Sequence, residues 1–231
     1  MRTTTKSLTA LLGAGIVVAA LAGCSQSGTG SSTTSGAGSS SAASATPTAS
    51  PTPALMTSVG GKTTAITLDS GFVDALTSLK LTPGVIGSAT LSKAGVLTFP
   101  ITGGNVTYYD PATGVRPYVQ GELDHDGSGL SLTAGDKKVE LKNFVIDPGN
   151  DSHVSGDVYL NGASVVKGAN LFRLDGSTLN PVTMEGDAYV LEGTTVYVSE
   201  DAAALLNKTF GTTAVTGDLE VGIAKLTVTA S

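Results

Sequence analysis

The sequence predicts a mainly β fold, an antiparallel β-sandwich or closed β meander with two short helices. Three observations predict this class: apolar and polar residues alternate in several segments, turn-forming dipeptides separate those segments, and two stretches space their apolar residues with a helical period. We expect one domain covering residues 58–231. A chain of this length buries about 70% of its unfolded surface, so the core needs no disulfide.

Two segments show the alternation that is typical of strands. In residues 114–123, GVRPYVQGEL, apolar and polar side chains alternate from Val115 onward, and Pro117 indicates a sheet edge or the start of a strand. In residues 137–144, KKVELKNF, the alternation ends at Asn143, after which both faces are apolar. We expect a bulge or burial on both faces there.

Turn signals follow several of these segments. Asn161 and Gly162 predict a two-residue hairpin turn, because both tolerate the positive φ of a type I′ turn. Glu192 and Gly193 predict a second hairpin by a weaker signal of the same kind. The segment AGDKK (134–138) predicts a longer hairpin loop.

Two segments predict short helices. DSGFVDALTSLK offers Ser70 as the N-cap residue and places its apolar residues on one helical face. SEDAAALLNKTFG offers Ser199 as the cap, Glu200 and Asp201 at the positive end of the helix, and Gly211 as the stop.

The amino-terminal residues have the pattern of a signal peptide. Arg2 and Lys6 precede an apolar run of about 14 residues from Leu8 to Leu21, shorter than the ~20 residues of a membrane-spanning helix. The tetrapeptide LAGC, which ends at Cys24, resembles the lipobox of bacterial lipoproteins, where signal peptidase II cuts before a cysteine that carries diacylglycerol. Two acyl chains would give stable anchoring.

This resemblance implies a domain organisation and a location. Residues 1–23 would be a lipoprotein signal peptide, and Cys24, the chain's only cysteine, would become the lipidated first residue. Residues 24–57 contain no charged residue and consist mostly of Ser, Thr, Gly, Ala and Pro, so we expect a disordered tether. The implied partner is the lipid bilayer, and the implied location is the cell membrane, with the domain facing outward.

The charge balance argues against nucleic acid as a partner. Of the 13 Lys and Arg residues, two lie in the signal peptide, so 11 remain against 19 Asp and Glu, a net charge of −8. Phosphate binding requires a basic patch, which an acidic domain with scattered cations does not predict.

The segment ELDHDGSGLSL holds the candidate metal ligands, Asp124, His125, Asp126 and Ser128. Asp124, Asp126 and Ser128 match the start of a calcium loop, although the bidentate Glu expected at its twelfth position is Gly135. The alternative is a tight hairpin turn with His125 facing solvent. Two flanking aspartates would favour the protonated form of His125.

Two further features suggest ligand binding. Tyr109 and Tyr118 alternate with polar neighbours, so either could be exposed and stack on a ligand. The segment AALLNKTFGTTAVTGDLEVGIAKL resembles secreted β-rich modules of high-GC Gram-positive bacteria. Some of those modules are surface haem-uptake domains that ligate iron through Tyr and His, so the resemblance implies haem or metal capture as one alternative.

Motifs for catalysis are missing from the sequence. It has no G-x-S-x-G elbow, P-loop, G-x-G-x-x-G or H-E-x-x-H motif. We therefore predict a non-enzymatic envelope lipoprotein, without a cofactor, that binds a cell-wall component, a small ligand or an envelope protein. A hydrolase that uses carboxylates or His125 is the second alternative.

Exchange of Cys24 for serine removes the sulfur that would carry the lipid. We therefore expect the Cys24→Ser protein to leave the membrane fraction. The measurement is the membrane-bound share after cell fractionation, and an undiminished share in the variant would refute the lipid anchor.

Overall fold

The computed structural model describes residues 52–231, which lie in one compact unit. The predicted signal peptide (1–23), Cys24 and most of the predicted tether (24–57) lie outside these residues. The first strand begins at Leu55, so the last residues assigned to the tether belong to the sheet. The mainly β class with two helices is confirmed. Within 52–231, no helix is both long and apolar enough to cross a membrane.

The elements follow one another in this order along the chain. The strands are β1 Leu55–Leu68, β2 Thr82–Gly87, β3 Thr90–Leu91, β4 Val96–Pro100, β5 Gly103–Tyr108, β6 Val119–Ala134, β7 Lys137–Asp147, β8 His153–Leu160, β9 Ala163–Asp175, β10 Thr183–Glu185, β11 Ala188–Val198 and β12 Glu220–Ala230. The helices are α1 Ser70–Ser78, α2 Glu200–Phe210 and a 3₁₀ turn at Pro111–Thr113.

Eight strands pair into a closed ring. The order is β1, β12, β11, β9, β8, β7, β6 and β5, and β5 pairs again with β1. Residues 55–58 of β1 pair with β5, and residues 63–67 pair with β4. The remaining short strands lie along single partners: β2 on β6, β3 on β4 and β10 on β11. All these pairs are antiparallel, as the sequence predicts.

The buried apolar side chains lie on the inner face of this ring. Because side chains of a strand point alternately to its two faces, a strand such as β8 buries every second residue from Val154 to Val158. Three phenylalanines from different strands pack edge to face: the ring centroids of Phe99 and Phe144 are 5.3 Å apart, and those of Phe144 and Phe172 are 6.1 Å apart. Such pairs each add about 0.5–1.5 kcal/mol to the free energy of burial.

Two predicted turns and one predicted bulge are confirmed, and the first of these turns joins β6 to β7 through Gly135 and Asp136. Asn161 and Gly162 connect β8 to β9 with φ values of +50° and +83°, as a type I′ turn requires. Asn143, with φ +53°, lies at a shift in the pairing of β7 with β8, so the break in alternation there is a bulge.

The hairpin predicted at Glu192 and Gly193 is wrong, because β11 continues through both residues. The pairing with β12 shifts between Glu192 and Thr194, and Gly193 has φ +115°. The Gly193 carbonyl accepts a hydrogen bond from Thr178 Oγ1 at 2.6 Å. Gly193 therefore forms a β-bulge within β11 and not a hairpin turn.

Both helices form, and one cap differs from the prediction. Ser199 caps α2 by accepting from the Ala202 N–H at 3.0 Å, and Gly211 ends the helix at φ +70°. The N-cap residue of α1 is Asp69 and not Ser70, because the Asp69 carboxylate accepts from the first free N–H groups of the helix. An ionised acceptor makes the stronger bond to these groups.

The hairpin turn predicted for DHDGSG is also wrong. Residues 124–129 lie inside the long strand β6. The pairing with β7 shifts between His125 and Gly129, and Gly127 takes φ +71°. The glycines therefore let β6 bulge without reversing, and this bulge decides which way His125 points.

Candidate ligand cavity

The closed sheet encloses a cavity of about 370 Å³. This volume lies in the range of small-molecule sites, about 300–1,000 Å³. Its walls are mostly apolar and include the three packed phenylalanines of the core. Among its lining residues, Arg116 and Asn150 are exposed, so they mark the end at which the cavity meets solvent.

His125 is the titratable side chain of this wall that is most deeply buried, at 1% exposure. Its Nδ1 lies 3.2 Å from the backbone oxygen of Phe144, and its Nε2 lies 2.8 Å from Thr64 Oγ1. A carbonyl oxygen only accepts hydrogen bonds, so Nδ1 must carry the proton. In the neutral ring, which burial favours, the Thr64 hydroxyl donates to Nε2 and both nitrogens are satisfied.

The protonated, solvent-facing state expected for His125 is corrected by this geometry. Burial lowers the pKa of His125 below its ordinary value of 6.5, and this effect outweighs the opposing influence of the Phe144 carbonyl and of Asp124 and Asp126. Both aspartates neighbour His125 along the strand, so they point to the opposite face of β6.

The structure places the candidate calcium ligands in a strand and not in a loop. Asp124 and Asp126 share a strand with Ser128, which is fully buried and donates its hydroxyl to the backbone oxygen of His125 at 3.1 Å. The residues of 52–231 contain no group of three or more His, Cys, Asp or Glu side chains placed to hold a metal ion. A strand spreads its side chains over two faces, whereas a calcium loop curls them around one point.

The two candidate tyrosines have different positions. Tyr118 lines the cavity, donates its phenol to the Gly176 carbonyl at 2.5 Å and lies with its ring centroid 5.6 Å from Arg116 Cζ. Burial raises the pKa of Tyr118. Tyr109 is not among the residues that line this cavity; its N–H donates to the Tyr118 carbonyl at 2.7 Å.

Sequence reasoning missed Thr64 and the solvent-end cation Arg116. Thr64 is one of many threonines in β1, and it lies 61 residues before His125 in the chain. Thr64 reaches His125 because β1 pairs with β5, which in turn pairs with β6. The residue carries no local signal that could identify it.

Comparisons with known proteins connect this architecture to solved structures. No family model matches the sequence, and no curated protein matches it. The chain is similar to the C-terminal domain of HtaA from Corynebacterium glutamicum, with a TM-score of 0.51 and 12% identity over 74% of this chain and 98% of that one. It is also similar to the heme binding protein HtaB of the same organism, with a TM-score of 0.45 and 11% identity over 76% and 94%. At this identity the likeness to HtaA shows the fold alone.

The burial of a neutral His125 predicts a pH dependence of stability. Below about pH 6.5 the unfolded chain takes up a proton at this residue, whereas the folded chain, with its lowered pKa, does not. The contribution of the neutral His125 ring to the free energy of unfolding is therefore complete above about pH 6.5. It is lost as the pH falls toward the pKa that His125 has in the folded protein. We expect the free energy of unfolding, measured by urea denaturation, to decrease between pH 7.5 and pH 5.

The His125→Asn variant tests the origin of this decrease, because it keeps an N–H donor but removes the titrating group. Its slope of stability against pH should be shallower than that of the wild type. His153→Asn, at the second histidine, is the matched control and should keep the wild-type slope. Hydrogen bonds from Lys138 and Lys142 lower the pKa of Glu140. Its effect on stability therefore falls at a more acidic pH than that of His125. Equal slopes in the His125→Asn protein and the wild type would contradict the assignment.

Proposed function

We propose that this domain captures haem as a cargo inside the closed sheet, and that the whole chain is an outward-facing, lipid-anchored binding protein of the cell envelope. The observation that carries the haem proposal is His125, a neutral imidazole buried in an apolar cavity. The lipobox at Cys24 is what supports the anchor.

The hydrogen bonding of His125 suits an iron ligand. Histidine is a common axial ligand of haem iron, and a ligating imidazole ordinarily donates its other N–H to a carbonyl or carboxylate. The Phe144 carbonyl already holds Nδ1–H, which leaves the Nε2 lone pair for a metal. Only the Thr64 hydroxyl bonds to Nε2, and a hydroxyl can turn away by rotation.

The walls of the cavity suit the macrocycle of haem, and its solvent end suits the carboxylates. Apolar and aromatic side chains suit a macrocycle, and the three phenylalanines supply flat faces and edges. Arg116 at the exposed end offers a guanidinium for carboxylates that remain in solvent. The resemblance of the carboxy-terminal segment to haem-uptake modules supports the same ligand.

The other functions considered from the sequence fit this geometry less well. A cell-wall polymer or an envelope protein needs an open face, whereas this cavity lies within the ring. A hydrolase built on His125 needs a carboxylate to orient the imidazole, but the two ring nitrogens bond to Thr64 and Phe144. Binding of a small, largely apolar molecule inside the closed sheet is therefore the function that the geometry supports best.

Titration of the purified protein with haemin tests this proposal. We expect a saturable Soret band, and we expect His125→Asn to weaken binding at least about tenfold because it removes the ligand nitrogen. His153→Asn is the control and should bind as the wild type does. Absence of a saturable band in the wild type would exclude haem, and an unchanged titration of His125→Asn would exclude His125 as the ligand.

The Thr64→Val variant should bind haem more tightly than the wild type, whereas His125→Asn should bind it more weakly. Valine has nearly the shape of threonine but cannot donate to Nε2, so haem no longer competes with an internal hydrogen bond. Affinity should rise about threefold to tenfold, the equivalent of one hydrogen bond of about 0.5–1.5 kcal/mol. Weaker binding by a folded Thr64→Val protein would contradict the proposed use of Nε2.

A further inference from the structure

A loop lies at the solvent end of the cavity that holds His125. This loop, residues 109–118, joins β5 to β6, and we call it the strap. Three of its residues line the cavity: Arg116, Pro117 and Tyr118. The loop between β9 and β10 lines the same cavity through Gly176 and Leu179. The Tyr118 hydroxyl donates to the Gly176 carbonyl at 2.5 Å, so one hydrogen bond connects the two loops.

The strap is held together mainly by its own hydrogen bonds. The Asp110 carboxylate accepts from the Ala112 N–H at 2.8 Å, and Arg116 Nη1 donates to the carbonyls of Val115 at 2.7 Å and Pro111 at 3.4 Å. Residues 110–114 are exposed. Among residues 52–231, the bond from Tyr118 to Gly176 is the one hydrogen bond that connects the strap to a residue beyond its two flanking strands. The strap can therefore move as a unit when that bond breaks.

The loop on the other side of this bond is fixed to the ring. Thr178 Oγ1 donates to the Gly193 carbonyl at 2.6 Å, and the Asn180 N–H donates to the Glu192 carbonyl at 2.9 Å. Both acceptors belong to β11. The Gly176 carbonyl also accepts from the N–H three residues later at 3.1 Å, so it keeps a partner when the Tyr118 hydroxyl leaves.

A ligand that reaches His125 needs an opening, because this side chain is only 1% exposed. Separation of two ring strands would break a ladder of backbone hydrogen bonds, whereas movement of the strap breaks one hydrogen bond. It also moves the Tyr118 ring from Tyr108, on which it packs edge to face at a centroid distance of 6.2 Å. Local opening takes the route that breaks the fewest contacts.

We infer that the strap is a lid over the His125 cavity and that the hydrogen bond from Tyr118 to Gly176 is its latch. The latch closes over the empty and the occupied cavity alike, so it controls how fast the cargo enters and leaves. The identity of the cargo rests on the proposed function, whereas the motion of the lid occurs in the haem-free protein too.

The rates of haemin binding test the latch in the full chain carrying Cys24→Ser. Tyr118→Phe keeps the aromatic ring but removes the donor. We expect the association and dissociation rate constants to rise together, about threefold to tenfold, because one hydrogen bond closes both states. Kd should therefore stay unchanged. Tyr109→Phe, the same exchange in the same loop at a side chain that does not line the cavity, is the control and should keep both rates. Faster dissociation with an unchanged association rate would indicate a lost contact to haem and would overturn the inference.

Reaction of His125 with diethyl pyrocarbonate tests the same motion without haem. The reagent transfers its ethoxycarbonyl group to the unprotonated Nε2 and releases monoethyl carbonate, so the rate reports how often the cavity opens. Mass spectrometry of peptides measures this rate at each histidine. Tyr118→Phe should raise it about threefold to tenfold at His125, the usual effect of one hydrogen bond, and leave it unchanged at His153. Equal rates at His125 in this variant and the wild type would overturn the inference.

Low concentrations of urea separate the opening of the strap from unfolding of the domain. Opening of a loop exposes little surface, so the rate at His125 should stay nearly constant up to about 1 M urea. A rate that rises with urea as steeply as global unfolding does would overturn the inference. Absence of a Soret band, with a rate at His125 that still depends on Tyr118, would refute haem and support the lid. A Soret band with rates that do not depend on Tyr118 would refute the lid alone.

Discussion

The burial of His125 depends on one interaction, the pairing of β1 with strands from both ends of the sheet. The first residues of β1 pair with β5, and its remainder pairs with β12, so the sheet closes. A register shift between Val59 and Gly61, with Gly61 at φ +126°, lets the strand bend between these partners. An open sheet would leave His125 in water, whereas the closed ring surrounds it with apolar side chains.

Closure of the sheet removes the polar groups inside it from water. Each of them then needs a hydrogen-bond partner, because an unpaired buried polar group destabilises the fold. His125 is satisfied at both nitrogens, and its weaker partner is a rotatable hydroxyl. Asn170 is in the opposite state, since its amide oxygen is buried without a donor. Of these two groups, His125 is the one whose lone pair a ligand could take over from an internal donor.

The sequence predicts those features that depend on neighbouring residues. Alternation predicts strands because the period of two is local, Asn161 and Gly162 predict a turn because their φ preference is local, and Ser199 caps the helix that follows it. The bulge in β6 could not be predicted, because Asp-Gly and Ser-Gly serve turns and bulges alike. Whether these dipeptides form a turn or a bulge depends on the pairing of β6 with β7.

The site was predictable only in part for the same reason. His125 was identified as a candidate residue, but its burial and its tautomer depend on Thr64 and Phe144, which lie 61 and 19 residues away in the chain. Long-range pairing determines these contacts, and no local pattern records them. The lipid anchor at Cys24 remains a prediction, since it lies outside residues 52–231.

The tautomer of His125 in the haem-free protein decides whether the Nε2 lone pair is there for a ligand to take. Nitrogen-15 NMR distinguishes the two neutral forms from the imidazolium, and the His125→Asn variant assigns the signal. At pH 7 we expect a neutral ring with the proton on Nδ1 and an unprotonated Nε2. A proton on Nε2, or a doubly protonated ring, would contradict it.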